Sequence, residues 1–155
     1  MMKEIYQQAQ QFLNDILINV ELDLQAEAVE SENGCILNLD GADSPLLRSE
    51  GGELLDALDH IINQAFARGL PEGERLVCDV DSFRALRETE LRAMAHHAAD
   101  RVRSTGLPFF FGPMNAGERR IIHLTLANDS ELFTESIGEG NSRRLKVSLK
   151  TSVKN

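Results

Sequence analysis

The sequence predicts an α+β protein of two small units, residues 1–80 and 81–150, with a loose tail over residues 151–155. Two observations support this fold class. Segments with the 3.6-residue apolar period of a helix are interspersed with segments in which apolar and polar residues alternate, as in half-buried strands. A chain of 155 residues, 42% of them hydrophobic, can bury one moderate core or two small ones.

In the first unit, helical periodicity over residues 3–18 predicts a one-sided amphipathic helix. Alternation over residues 20–28 predicts a strand with an acidic outer face, and an Asn-Gly turn connects it to a second strand over residues 35–39. A second amphipathic helix is predicted over residues 53–67, and the apolar run at residues 76–80 predicts a short buried strand. Together these segments predict a small α+β unit.

In the second unit, apolar residues at helical spacing predict a long helix over residues 83–102, and three consecutive phenylalanines predict a short strand over residues 109–111. A short helix follows around residues 118–123. Strands are predicted over residues 132–136 and 143–150. The last strand alternates core positions with polar positions, and three of the polar positions are cations: Arg144, Lys146 and Lys150.

The short helix carries an arginine and a histidine four residues apart, Arg119 and His123, which places them one turn apart on one face. Asn115 lies three residues before Glu118, which predicts an N-terminal cap with a reciprocal carboxylate. An arginine is a permanent cation and a histidine is a switchable donor that can also stack, so the pair suits a phosphate and a base. The alternative is an exposed helix face whose arginine pairs with a neighbouring carboxylate such as Glu118 or Glu135.

The residues around this pair extend the pattern in order and spacing. They are Pro113-Met114-Asn115, Glu118-Arg119-Arg120, Thr134-Glu135-Ser136, Gly138, Gly140 and Arg143. This set resembles the R-three-H (Arg-xxx-His) domain, which binds single-stranded nucleic acid. Upstream, a second set resembles the second half of a KH domain: Leu46-Leu47, Gly52-Glu53 and Leu55-Asp56-Ala57-Leu58. In tandem the two sets resemble the bacterial Jag family of RNA-binding proteins over nearly the whole chain.

The resemblance implies a KH-like (type II) α/β sandwich over residues 1–80 and an R-three-H domain over residues 81–150, with a small sheet packed on two helices. It implies a non-catalytic bacterial post-transcriptional regulator that binds single-stranded RNA, or single-stranded DNA, with a second small KH protein or a second copy of the chain as a possible partner. The expected binding residues are Arg119, Arg120, His123, Arg143, Arg144 and Lys146, with Lys150 as a weaker candidate.

Roles can be proposed for these side chains from their chemistry. We expect Arg119 and Arg143 to contact backbone phosphates, and His123 to stack on a base or donate to a phosphate. Arg120 can turn toward the same surface or back onto Glu118. For the cations of the last strand, the alternative is an ordinary solvated face, or an edge strand protected from aggregation by its charge.

The net charge of −9 disfavours nucleic-acid binding by the chain as a whole, because a polyanion must meet a positive surface. The charge is unevenly distributed, however. Residues 1–70 hold 3 Lys and Arg against 13 Asp and Glu, whereas residues 101–155 hold 9 against 5. Only the C-terminal part is therefore expected to attract phosphate.

The segment that corresponds to the KH Gly-x-x-Gly loop departs from the family pattern. Such a loop lets the backbone approach nucleotides at a helix N-terminus. Here it reads Ser49-Glu50-Gly51-Gly52, with serine for the first glycine and a carboxylate that would repel a phosphate. Ser49 as a helix cap is an alternative explanation without any ligand. The weaker binding candidates in this loop are Arg48, Gly51 and Gly52, and the first unit could instead dock a protein or shape the groove used by the second.

Several other classes of function have little support in the sequence. No run of 18 apolar residues and no apolar leader is present, so we expect a cytoplasmic protein without membrane insertion. Cys35 and Cys78 fall in predicted strands, which favours buried free thiols. The carboxylates of Asp79 and Asp81 lack a third ligand or a nucleophile, so no metal, cofactor or catalytic residue is predicted. The alternative function is a protein-interaction or scaffold module whose nucleic-acid surfaces have decayed.

Overall fold

The computed structural model describes residues 1–150, and the tail predicted over residues 151–155 lies outside the described residues. The described residues divide into two compact units, residues 1–84 and residues 85–150. Each described unit contains one three-stranded sheet together with helices, so the α+β fold class is confirmed. None of the described helices is long and apolar enough to cross a membrane.

The first unit combines three helices with a mixed sheet. Its elements are α1 (Glu4–Asn19), β1 (Gln25–Ser31), β2 (Gly34–Asp40), α2 (Ser44–Arg48), α3 (Glu53–Phe66) and β3 (Arg75–Asp79). The strand order is β1-β2-β3, in which β1 and β2 are antiparallel and β2 and β3 are parallel. The core is formed by one face of each element, and its largest fully buried side chains are Tyr6, Leu13, Leu17, Leu37, Leu39, Leu47, Leu55, Ile62 and Leu76.

The predicted hairpin between β1 and β2 is confirmed, with Ser31 paired to Gly34 across a two-residue turn. Gly34 also pairs with Arg75 of β3, and its φ is +132°. A Cβ atom at position 34 would lie 2.1 Å from the carbonyl oxygen of Arg75. The residue must therefore be glycine for β3 to approach β2 at this level of the sheet.

Some predicted boundaries in the first unit are wrong. The strand begins at Gln25 instead of residue 20, because the Val20 N–H still bonds the carbonyl of Ile16 at the end of α1 and the Val20 side chain is exposed. Helix α2 was not predicted, since Ser44-Pro45 has the composition of a loop, although proline is well suited to the first turn of a helix. Within the predicted amphipathic helix, the apolar side chain of Ile61 is exposed.

The second unit packs a small antiparallel sheet on two helices, as predicted. Its elements are α4 (Phe83–Thr105), whose first two residues belong to the first unit, β4 (Phe109–Phe110), α5 (Ala116–Leu126), β5 (Leu132–Ile137) and β6 (Arg144–Leu149). The strand order is β4-β6-β5, so β6 lies in the centre. Helices and strands contribute to one buried cluster: Leu91, Ala95, Ala98, Ala99, Val102, Phe111, Ile122, Leu126, Leu132, Leu145 and Val147.

The two cysteines are buried free thiols, as predicted, with Cys35 in β2 and Cys78 in β3. Burial raises the pKa of the Cys78 thiol to about 12, and the nearby carboxylate of Asp59 acts in the same direction. A thiol in this state is a small apolar side chain and not a nucleophile at neutral pH.

Candidate nucleic-acid interface

Helix α5 begins as predicted, because the side chain of Asn115 caps it. The Oδ1 atom of Asn115 accepts a hydrogen bond of 2.9 Å from the Glu118 N–H. The reciprocal half of the prediction is wrong. The Glu118 carboxylate accepts a hydrogen bond of 2.8 Å from Nε of Arg87 on α4, and Glu118 is buried. The cap and this ion pair together set the position of the first turn of α5.

Three of the predicted binding residues, Arg119, Arg120 and His123, line one open groove between α5 and β5. The strand side of the groove is formed by Thr134, Glu135 and Ser136. The His123 ring is exposed, and its Nδ1 atom is hydrogen-bonded to Oγ1 of Thr134. That contact orients the imidazole and leaves its outer edge open to solvent. The groove therefore presents two guanidinium groups and one imidazole to the same volume.

The guanidinium of Arg119 is held by the loop that precedes α5. Its Nη1 atom donates to the carbonyl oxygen of Met114 at 2.5 Å, and the Met114 N–H donates to the carbonyl of Arg143 at 3.1 Å. One of five N–H donors is thus used for positioning, and the others remain available to a ligand. Such an anchored arginine loses less side-chain entropy when it binds a phosphate than a freely rotating one.

The alternative in which Arg119 pairs with a neighbouring carboxylate does not hold for the described residues. Glu118 is paired with Arg87, and Glu135 lies 3.6 Å from Nζ of Lys146. Within residues 1–150, Arg119 forms no ion pair with any carboxylate. No carboxylate in this part of the chain therefore neutralises the positive charge of Arg119.

Arg143 lies apart from the residues that line the groove. It is the residue just before β6 and is partly buried, and its Nη1 atom donates to the carbonyl of Gly138 at 3.1 Å. Gly138 has a φ of +85°, and the loop then turns through Gly140–Ser142. Two hydrogen bonds connect this loop to the Arg119 guanidinium, since Met114 donates to the Arg143 carbonyl and accepts from Arg119.

The cations of β6 project from the opposite face of the sheet. Their neighbours Leu145 and Val147 are buried against the helices, so Arg144 and Lys146 must point away from them. Both cations lie over the Phe110 ring, at 5.4 Å for the Arg144 guanidinium and 5.9 Å for the Lys146 ammonium. Because β6 is the central strand, the alternative of a charge-protected edge strand does not apply. Lys150, just beyond β6, is exposed.

The loop before α3 has an unusual backbone. Glu50, Gly51 and Gly52 are all left-handed, with φ of 52°, 66° and 87°. Gly52 is the N-terminal cap residue of α3, and no side chain caps this helix, so the expected Ser49 cap is wrong. A Cβ at Gly52 would lie 2.9 Å from the Phe83 ring, which covers that glycine.

Arg48 is the one cation of this loop segment, and Nη2 of its guanidinium lies 3.8 Å from the Asp81 carboxylate. The carboxylate of Glu50 follows two residues later. Of the weaker candidates, Arg48 is thus paired with a carboxylate, Gly51 follows the acidic Glu50, and Gly52 is covered by an aromatic ring. Glu50 and the Phe83 ring over Gly52 disfavour a phosphate at the two glycines, whereas the Arg48 side chain remains 42% exposed.

Two functional features were not predicted from the sequence. Arg87 was not singled out, because its partner Glu118 lies 31 residues away and ion pairs between distant segments leave no local pattern. Phe110 and Phe111 were not distinguished from the sequence, yet Phe110 is 48% exposed whereas Phe111 is 3% exposed. The alternation of a strand would have separated the two rings. Among residues 1–150, no group of three or more His, Cys, Asp and Glu side chains could hold a metal ion.

Comparison with known proteins gives matches in both units. Residues 89–149 match the family model of the R-three-H domain, which covers α5, β5 and β6. The chain is 32% identical to RNA-binding protein KhpB of Clostridium symbiosum over 142 residues, 90% of this chain and 64% of that protein. It is 30% identical to RNA-binding protein KhpB of Bacillus subtilis over 146 residues, 93% of this chain and 70% of that protein.

A third relative, RNA-binding protein KhpB of Lactiplantibacillus plantarum, is 31% identical over 114 residues, 74% of this chain and 35% of that protein. The chain thus spans 64% of the length of the Clostridium relative and a smaller share of the Lactiplantibacillus one. These relatives are members of the Jag family, so the predicted resemblance is confirmed at the level of the family and of the R-three-H domain. On this similarity along most of its length, the chain belongs to the family of RNA-binding protein KhpB.

Proposed function

We propose that this protein is a non-catalytic single-stranded RNA-binding protein, and that RNA binds in the groove lined by Arg119, Arg120 and His123. The observation that carries the proposal is the state of Arg119. Its guanidinium is anchored by the Met114 carbonyl, has no acidic partner within residues 1–150, and lies in one groove with an exposed imidazole. The names of the relatives support RNA as the nucleic acid.

Each side chain of the groove has a role that follows from its chemistry. Arg119 donates two or more hydrogen bonds to a backbone phosphate, which its fixed planar fork favours. Arg120 is exposed and adds a second positive charge. His123, oriented by Thr134, stacks on a base or donates to the next phosphate. Because these contacts are made to phosphates and to the face of a base, we expect weak sequence preference and strong dependence on salt.

We further propose that the first unit is a KH-like domain whose loop has lost nucleic-acid binding. The order of its elements, with Gly51 and Gly52 just before α3, supports a KH-like unit. Glu50 and the cover of Gly52 by Phe83 oppose a phosphate there. We propose protein contact as its role, with a second small KH protein or a second copy of this chain. The biological role that follows is post-transcriptional regulation in the cytoplasm of a bacterium.

Fluorescence polarisation with a short labelled single-stranded RNA tests the main proposal. With about three phosphate contacts, the slope of log K against log salt concentration should be near −2. Arg119→Ala should weaken binding about tenfold or more, because a charge-assisted contact is lost. Arg92→Ala is the matched control, since Arg92 is an exposed arginine of the same unit that is paired with Glu88. A DNA oligonucleotide of the same sequence distinguishes RNA from DNA.

Two outcomes would contradict the proposal. The first is the absence of measurable binding at low salt. The second is an Arg119→Ala protein that binds as tightly as the Arg92→Ala protein. The loop of the first unit is tested with Glu50→Ala, which should leave the affinity almost unchanged. If Glu50→Ala abolished binding, RNA would be held by the first unit and the groove of the second unit would be the wrong site.

A further inference from the structure

The sheet of the second unit has two different faces. Leu132, Leu145 and Val147 are buried against the helices, so the alternate residues of β5 and β6 project from the other face. We call this other face the outer face, and we define it by five residues. They are Phe110, Phe133, Glu135, Arg144 and Lys146. The pairing of Phe110 with Lys146, and of Lys146 with Glu135, places these three in one row across the sheet.

The outer face exposes two large aromatic rings. Phe110 is 48% exposed and Phe133 is 49% exposed, although their chain neighbours Phe111 and Leu132 are almost completely buried. Rings that are about half exposed leave a large apolar area in contact with water, which lowers solubility. Two of them on one small sheet therefore indicate a surface that meets a ligand.

The charges beside the rings identify the kind of ligand. The Arg144 guanidinium and the Lys146 ammonium lie 5.4 and 5.9 Å from the centre of the Phe110 ring. One carboxylate, that of Glu135, lies 3.6 Å from Lys146, so the five residues of the outer face have a net positive charge. Aromatic rings interleaved with cations suit a polyanion whose bases can stack, whereas an apolar peptide would require the cations to be desolvated.

The groove and the outer face meet at one strand. Thr134, which contacts His123 in the groove, lies between Phe133 and Glu135 on β5. This strand is at an edge of the sheet. Phe133 projects from the outer face and Thr134 from the helix face. A single nucleic-acid strand that crosses the edge of β5 would therefore leave the groove directly onto the outer face.

We propose that the outer face is a second contact for the same RNA strand, on which Phe110 and Phe133 each stack one base while Arg144 and Lys146 bind phosphates. Phe110 and Phe133 lie two strands and two residues apart, about 12 Å from one another by the spacings of a sheet. This separation exceeds the range in which aromatic rings stack on each other, so the two rings take different bases. The proposal rests on the proposed function, since it extends the same bound strand.

Binding to RNA of two lengths tests this inference. An oligouridylate of about 4 nucleotides fills the groove alone, whereas one of about 12 nucleotides also reaches the outer face. The double variant Phe110→Leu with Phe133→Leu should bind the longer RNA about tenfold more weakly and the shorter RNA unchanged. Leucine keeps the surface apolar and removes only the ring. The variant Phe110→Tyr with Phe133→Tyr should bind the longer RNA as the original protein does.

Phe12→Leu is the matched control, since Phe12 is a partly exposed ring in the first unit. It should leave binding of both RNAs unchanged. The inference is overturned if the double leucine variant binds the longer RNA normally while Arg119→Ala binds it weakly, and the proposed groove then stands. If neither RNA binds to the unmodified protein, the proposed function fails and the inference fails with it. Loss of the short-RNA complex in the double leucine variant would also overturn the inference, because it would indicate a disturbed groove.

Discussion

The Nε atom of Arg87 on α4 donates a hydrogen bond of 2.8 Å to the carboxylate of Glu118 on α5. Glu118 is only 7% exposed, and Arg87 also lies 3.2 Å from Glu90 on its own helix. The pair joins the two helices one residue before Arg119. The position of the groove therefore depends on an ion pair that makes no contact with a ligand.

Removal of Arg87 should destabilise the second unit, because it leaves a buried carboxylate without a partner. We expect Arg87→Ala to lower the free energy of unfolding by about 2 kcal/mol, less than for a fully buried pair because the Arg87 side chain is 29% exposed. Urea unfolding followed by circular dichroism measures the change. Arg92→Ala, which breaks an exposed pair on the same helix, should cost less than about 0.5 kcal/mol. Equal effects of the two substitutions would argue against this role for Glu118.

Orientation of His123 by Thr134 should contribute to binding. Thr134→Val keeps the shape of the side chain but removes the hydroxyl that bonds the imidazole, so the ring is free to rotate. We expect a decrease in RNA affinity of about threefold, the cost of ordering one side chain. Thr125→Val is the control, because its hydroxyl bonds the Ile121 carbonyl on the same helix. If the two variants had the same affinity, the imidazole would not require its threonine partner.

The close approach of β2 and β3 should make Gly34 intolerant of substitution. Gly34→Ala places a Cβ within 3.0 Å of three backbone atoms of Arg75, which cannot move without breaking the strand pairing. We expect a loss of more than about 3 kcal/mol, or failure to fold. Gly73→Ala also has a positive φ, of 83°, but meets no atom within 4 Å, so it should cost about 1 kcal/mol. Thermal unfolding of both variants measures the two losses. A Gly34→Ala protein as stable as the Gly73→Ala protein would contradict the prediction.

Burial of Cys78 should make stability depend on alkaline pH. The pKa of this thiol is about 12 in the folded protein and 9.0 in the unfolded reference, so the unfolded state binds fewer protons between pH 9 and 12. The contribution of Cys78 to the free energy of unfolding is therefore fully present below pH 9. It falls as pH rises from 9 to 12, at up to about 1.4 kcal/mol per pH unit. Cys78→Val should show a shallower decline in unfolding free energy from pH 9 to 11. All other ionisable groups are the same in the two proteins, so a difference in slope reports on Cys78. Identical slopes of unfolding free energy against pH would contradict the prediction.

Much of the second unit could be predicted because its signals are local. The Asn115 cap, the spacing of Arg119 and His123, and the alternation in β6 each depend on residues within one turn or one strand. The groove then follows, since α5 and β5 are neighbours in the sequence. A local signal can also mislead. The start of β1 was predicted wrongly at Val20, because alternating apolar residues continue through the end of α1 and the following turn.

The features that were not predicted depend on distant residues. Strand alternation gives the two faces of β6 but not its neighbours, so its place between β4 and β5 could not be deduced. For the same reason the contact of Phe110 with Arg144 and Lys146 was not expected. The Arg87 pair with Glu118 also joins segments that only the packed unit brings together. Pairing order and long-range ion pairs are thus the part of the site that required the structure.

The Phe83 ring over Gly52 constrains how the loop before α3 could change during evolution. Replacing Glu50 by glycine or lysine would remove the repulsive charge, yet the backbone at Gly52 would stay covered by an aromatic side chain. Replacing Phe83 alone would open the backbone while the carboxylate remained. On the proposal that this loop does not bind nucleic acid, either single change would leave one of the two obstacles to a phosphate in place. Under the proposed function, return of phosphate binding to this loop would therefore require both changes in one protein.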